Sequence, residues 1–262
     1  MNNSNERKKQ LIFIISASGS GTTMLTRVLS TPSYCVSLGG NYVSISQEDK
    51  EGINLAKELN RLTAMLWDRQ ATFEEVGEAK ENTKLLFNKI NNRKEFSDIS
   101  HVIYKRSAPF KLGDRYRPDI LDVFSFDINP KVVFIYRDPR SSSYSSFRRG
   151  FAENLRQCAV ICEEQLTYLS SQIEKLKPHE KYIINYEYFC HHPLKIVKEL
   201  AEFCEMSEND LKKAVDSEQI DTQKINKWSE ELSKSEVGYL NDFFSPSRLA
   251  QWHNLKCEYS KQ

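Results

Sequence analysis

The chain lacks any long hydrophobic run near its start. The polar segment Met1 to Gln10, with Arg7, Lys8 and Lys9, gives way to only five apolar residues, Leu11 to Ile15. That is too short for the core of a secretion signal or for a membrane span. Charge of one sign is missing too: the net charge is +1, which argues against a broad nucleic-acid or membrane surface. A local basic pocket would vanish in that total. No CxxC pair occurs among Cys35, Cys158, Cys162, Cys190, Cys204 and Cys257. Zinc is therefore disfavoured, although Cys158 and Cys162 are four apart and Cys190 precedes His191 and His192. Without a secretion signal the cysteines read as free thiols. Internal repeats and low-complexity linkers are absent as well. The expectation is a cytoplasmic chain with no nucleic-acid or membrane partner.

What is present is the composition of one large globular unit: 262 residues, 28% charged and 39% hydrophobic. We expect one domain over 1–262, with 1–9 flexible. Apolar runs predict strands over Leu11–Ser16, Tyr34–Leu38, His101–Lys105, Lys131–Arg137 and Lys181–Tyr186. Helical spacing predicts Thr22–Leu29, Glu51–Asp68, Phe73–Asn91, Pro139–Arg149, Phe151–Leu176, Pro193–Cys204 and Glu208–Val215. Strands separated by helices imply an α/β fold: a mostly parallel central sheet with helices on both faces. Residues 51–91 form a helical insertion, read as a cap. The tail from Trp228 to Gln262 shows no clear period.

The densest signal is LIFIISASGSGTTML, Leu11 to Leu25. A buried strand enters a glycine-containing turn and then a helix N-terminus, whose amides and dipole together attract an anion. The loop departs twice from the nucleotide-triphosphatase pattern GxxxxGK[ST]: Ser16 replaces the first Gly, and Thr22 stands in place of Lys. A phosphate cradle without its lysine points to group transfer other than ordinary ATP chemistry. The bland alternative is an ordinary strand-to-helix turn.

A second signal is KVVFIYRDPRSSSYSSFRRG, Lys131 to Gly150. Arg137 closes an apolar strand, Asp138 suits an N-cap, Pro139 the first helical position and Gly150 the stop. Ligands of open parallel sheets bind beyond the carboxyl ends of the strands, so Arg137 is aimed at the same edge as the Ser16–Thr23 loop. On the following helix Ser141, Ser145, Arg148 and Arg149 share a face. A guanidinium with a hydroxyl clamps a terminal phosphate well. A solvated Ser/Arg face is the alternative, but it leaves Arg137 unexplained.

A strand entering Ser-Gly-Thr-Thr, followed later by Arg-Asp-Pro-Arg and a serine eight positions after the first arginine, resembles the sulfotransferases that use 3′-phosphoadenosine 5′-phosphosulfate (PAPS). The resemblance covers roughly 11–30, 101–150 and 181–206, and implies a P-loop-type nucleotide-binding fold. It assigns the 5′-phosphosulfate to Ser18, Gly19, Ser20, Gly21, Thr22 and Thr23, and the 3′-phosphate to Arg137 and Ser145. In YIINYEYFCHHP, Tyr182 to Pro193, it lays Tyr186 against the adenine with Glu187 beside it. In HVIYKRSAPF, His101 to Phe110, it puts Lys105 near the transferring sulfuryl group. By the same resemblance the donor is PAPS, the product adenosine 3′,5′-bisphosphate (PAP), and no metal is required. The acceptor is a small molecule or glycan with a hydroxyl or amine.

Relatives usually carry Arg or Lys just before Ser-Gly-Thr-Thr, where this chain has Gly19. The usual base histidine is replaced by Ser107, and the Gly-Glu of other members by Gly40-Asn41. Glu48 and Asp49 are the remaining candidate bases, although both also read as helix N-terminal acids. His101 opens its strand, far from the expected edge, and is rejected. Two alternatives stay open: a PAP/PAPS-binding module with impaired catalysis, and a P-loop small-molecule kinase relative.

Overall fold

The apolar run becomes the middle of a sheet. The computed structural model describes residues 9–39, 42–66, 72–107, 131–218, 220–252 and 255, and in it β1 (Gln10–Ser16) is the central strand of five. β2 (Cys35–Ser37), β3 (His101–Ser107), β4 (Lys131–Tyr136) and β5 (Lys181–Asn185) complete the order β2-β3-β1-β4-β5. All pairings are parallel. Ser16 lies level with Ser107 on β3 and Ile135 on β4, so three strands end on one rim.

Parallel pairs need crossovers, and helices accordingly cover both faces. α1 (Thr22–Ser30) follows β1, and α2 (Lys50–Leu66) and α3 (Phe73–Asn91) connect β2 to β3. α4 (Pro139–Arg148) and α5 (Leu155–Glu174) connect β4 to β5. After β5 come α6 (Tyr186–His191), α7 (Pro193–Cys204), α8 (Glu208–Glu218), α9 (Lys227–Glu231), α10 (Lys234–Phe243) and α11 (Pro246–Leu249). Alternate residues of β1 serve two cores. Leu11, Phe13 and Ile15 pack with Leu59 of α2, Phe87 of α3 and Leu166 of α5. Ile12 and Ile14 pack with Leu25 of α1, Leu200 of α7 and Leu211 of α8. A strand buried on both faces reads as a continuous apolar run, which is why its sequence shows no alternation.

Most element ends differ from the sequence reading by a few residues, and three differences have a clear local cause. α5 begins at Leu155, not Phe151, because the Asn154 side chain accepts the Gln157 amide at 2.9 Å. β5 stops at Asn185, whose side chain accepts the Tyr188 amide at 2.7 Å, so Tyr186 opens a helix instead of closing the strand. The tail is not irregular: Ser233 and Glu236 form a capping box that starts α10, and Phe244 and Trp252 are fully buried in the α2–α3–α5 core. Trp67, Asp68, Gly40, Asn41, Phe110 and Cys257, together with 1–8 and 256–262, lie outside the described residues. Among the described residues the five other cysteines are free and buried, no cluster could hold a metal ion, and no helix is long and apolar enough to cross a membrane.

Candidate functional site

At the rim where β1, β3 and β4 end, a cavity of about 880 Å³ opens between the first loop, α4 and the chain after α8. Gly19, Gly21, Thr22, Thr23, Lys105, Arg137, Ser145 and Tyr186 all line it. The loop is shaped by two left-handed glycines, with φ of +83° at Gly19 and +91° at Gly21. Any Cβ would be strained there, and space forbids one as well. At Gly19 it would sit 2.6 Å from the Ser142 carbonyl oxygen, and at Gly21 it would collide with the Tyr186 ring.

The Ser18 and Ser20 side chains are buried behind the loop and are not among the described residues that line the cavity. The Ser18 amide donates to Gln165 Oε1 at 2.9 Å, and Gln165 Nε2 donates to the Ser18 hydroxyl at 3.3 Å. The Ser20 hydroxyl meets that of Ser142 at 3.2 Å. Both serines are buried and stitch the loop to α5 and α4.

Arg137 is buried, and its guanidinium joins the walls. Nη1 donates to the Gly19 carbonyl and Nη2 to the Lys224 carbonyl, each at 2.9 Å. The guanidinium carbon lies 4.4 Å from the centre of the Tyr186 ring. Nε is buried and has no partner among the described residues. A buried cation whose described hydrogen bonds go to neutral carbonyls gives this wall of the cavity a positive potential. The turn bearing Arg137 is fixed from behind: Glu187 accepts the Asp138 amide at 3.0 Å, and the Asp138 carboxylate accepts the Arg140 amide at 2.9 Å. Glu187 therefore lies behind this turn, outside the cavity lining, and burial holds its carboxyl above the usual range.

Lys105 is buried on β3 and donates to the Thr23 hydroxyl at 2.7 Å. Desolvation, with Arg149 and Arg27 nearby, lowers its ammonium to about 8. Glu48 does not join it. That side chain is exposed on the loop before α2 and does not line the cavity, whose described rim is reached from α1, α4 and α8 instead.

Several lining residues escaped the sequence reading. Arg27 is held by Glu218 of α8 through Nε and Nη2 at 2.7–2.9 Å. Lys224 precedes α9 and Lys227 opens it, and Ser141 secures the segment between them by donating to the Ile225 carbonyl at 2.8 Å. Arg148 and Arg149 complete the cations: seven basic side chains face the three carboxylates of Glu218, Asp221 and Glu231. The excess of positive charge is thus concentrated in this cavity, in a chain of net charge +1.

Residues 9–255 match the family model described as sulfotransferase domain. The chain belongs to the sulfotransferase family. Solved sulfotransferase structures share its fold. The sulfotransferase domain from the curacin biosynthetic pathway superposes with a TM-score of 0.57 at 18% identity, covering 90% of this chain and 97% of that one. The sulfotransferase domain from the Synechococcus PCC 7002 olefin synthase gives 0.54 at 15%, covering 93% and 97%. Mouse sulfotransferase SULT7A1, complexed with PAP, gives 0.53 at 13%, covering 97% and 89%. No curated protein matches the chain. In this sulfotransferase the cradle, the arginine and the lysine all meet on one rim.

Proposed function

We propose that this chain transfers a sulfuryl group from PAPS to a hydroxyl or amine of an acceptor. The observation that carries the reading is Arg137: its guanidinium bonds the glycine loop itself, and its side chain lines the same cavity as Ser145. When bound, the donor supplies the sulfuryl group and a bisphosphate leaving group. On this reading the Gly19, Gly21 and Thr22 amides, the Thr23 hydroxyl and Lys105 hold the 5′ end. Arg137, Ser145, Lys224 and Lys227 hold the 3′-phosphate. Tyr186, flat against Arg137 and Gly21, keeps these two sets in register. Sulfuryl transfer, like loose phosphoryl transfer, asks chiefly for positioning and for stabilised charge on the leaving oxygen.

Among the described lining residues each carboxylate already has a partner. Glu218 is occupied by Arg27, Glu231 by Tyr144 and Lys227, and Asp221 accepts the Gln223 amide. An amine or an acidic hydroxyl needs the least help from such a site. The same observation favours, as a second reading, a module that binds PAP or PAPS without turnover.

PAP is expected to raise the melting temperature equally with and without Mg²⁺, and ATP to raise it less under both conditions. Thermal shift checks this. Stabilisation by ATP only with Mg²⁺ would favour the kinase alternative. The two sulfonate-donor readings part on turnover: PAP binding with no PAPS consumed across a broad acceptor panel selects the binding module.

Lys105 gives PAP affinity a pH dependence whose sign follows from its lowered value. The ammonium attracts the phosphate, so affinity is highest near pH 7, where phosphate is still largely dianionic, and falls as Lys105 loses its proton above about 8. The steepest slope is about tenfold per pH unit, and bound anion shifts the limb upward. Lys105→Met should bind PAP more weakly at pH 7, lose that alkaline limb in calorimetry, and lose more in turnover than in donor affinity. An unaltered limb would remove Lys105 from the site.

A further inference from the structure

We propose that Gln165 of α5 is a positioning residue for the loop that holds the 5′ end of the donor; this rests on the sulfuryl-transfer reading. Cys158, Cys162, Leu166, Leu169 and Ile173 turn an apolar stripe of α5 into the core, and Gln165 sits within it, only 1% exposed. A buried amide in such a stripe costs stability unless its oxygen and its nitrogen are both bonded. Here both reach one residue. Oε1 accepts the Ser18 amide at 2.9 Å, and Nε2 donates to the Ser18 hydroxyl at 3.3 Å. Ser18 is itself buried, so the whole contact lies in the interior. A leucine at 165 would fill the stripe without a polar group to satisfy. What the glutamine adds is a two-point hold on the start of the loop.

The place of that hold gives it a function. Ser18 is the second residue after β1 and directly precedes the left-handed Gly19. Three consecutive residues are then tied to three separate partners: Ser18 to Gln165, the Gly19 carbonyl to Arg137, and the Ser20 hydroxyl to Ser142 of α4. Peptide units are planar, so fixing the Ser18 N–H and the Gly19 carbonyl leaves the chain between them little freedom. The amides of Gly21 and Thr22 follow from a set direction. A cradle already in its binding shape loses less freedom when the anion arrives, and binds it more tightly for that reason. Gln165 is not among the described residues that line the cavity, so it acts on the ligand through the loop alone. Its influence falls on the 5′-phosphate, which the loop holds, and not on a 3′-phosphate held by Ser145, Lys224 and Lys227.

Titration calorimetry with PAP, adenosine 3′-monophosphate and adenosine 5′-monophosphate reads the two phosphates apart. Gln165→Leu should weaken PAP and adenosine 5′-monophosphate by roughly tenfold each, and leave adenosine 3′-monophosphate within about twofold. Should the leucine variant not fold, Gln165→Ala is measured in the same way, since its vacated space admits a water to the Ser18 amide. A general loss of packing would lower all three affinities alike. Such an equal loss, or unchanged PAP affinity, would overturn the proposal. The sulfuryl-transfer reading fails separately: if the unaltered protein binds adenosine 5′-monophosphate as tightly as PAP, it has no grip on a 3′-phosphate. The effect of Gln165→Leu on adenosine 5′-monophosphate then still decides the role of Gln165.

Discussion

Arg137→Ala should weaken PAP binding by about 2–4 kcal/mol, roughly 30- to 700-fold, the usual loss when one partner of a charged contact is removed. The residue is more than a phosphate ligand. It ties the Gly19 carbonyl of the first loop to the Lys224 carbonyl before α9, with Tyr186 stacked beneath it. Its removal also leaves two carbonyls without a donor, so the free protein should melt about 2–10 °C lower. Arg137→Lys separates these roles. The ammonium keeps the charge but cannot span both carbonyls or lie flat on the ring, so it should recover less than half of the lost affinity. Calorimetry decides. Unchanged PAP affinity in Arg137→Ala would end the assignment of a phosphate to this wall.

How far the sequence revealed this site depended on whether the signal was local. The Leu11–Ile15 run, the glycine turn, and the Asp138-Pro139 helix start each carry their cause within a few residues, and each lies where expected. That the first and fourth strands end on one rim followed from the rule for open parallel sheets. Their place beside each other in β2-β3-β1-β4-β5 did not, because strand order depends on packing across the whole sheet. Hydroxyl direction was equally hidden. The sequence does not show that the Ser18 and Ser20 hydroxyls meet Gln165 and Ser142 beside the left-handed turns at Gly19 and Gly21. Tyr186 was placed on a strand because YIINY is a good apolar run; Asn185, a strong N-cap, was the overlooked sign that a helix begins there. Arg27, Lys224 and Lys227 could not be found from one motif, since they reach the cavity from separate segments of the chain. The Ser233–Glu236 capping box was readable, and would have ordered the tail.

Restoring the cation that relatives usually carry before Ser-Gly-Thr-Thr should harm this protein. Gly19→Arg is expected to bind PAP at least about 30-fold more weakly than the parent, and Gly19→Ala to lose nearly as much. The cause is steric and conformational, not electrostatic. A left-handed backbone costs a residue with a Cβ about 1–2 kcal/mol, and here that Cβ would press 2.6 Å from the Ser142 carbonyl oxygen and 3.0 Å from Ser145 Cβ. Relief requires the loop to lift off α4, which breaks the Arg137 bond to the Gly19 carbonyl and the contact between Ser20 and Ser142. The charge is supplied elsewhere: Lys105 reaches Thr23 from β3, and Arg27 follows one turn later on α1. The loop's missing cation thus goes with a close approach between the first loop and α4. Comparing the two variants by calorimetry isolates the cause, because alanine adds the Cβ without the charge. If Gly19→Arg bound PAP more tightly than the parent while Gly19→Ala did not, electrostatics would outweigh strain, and the close approach would not govern the site.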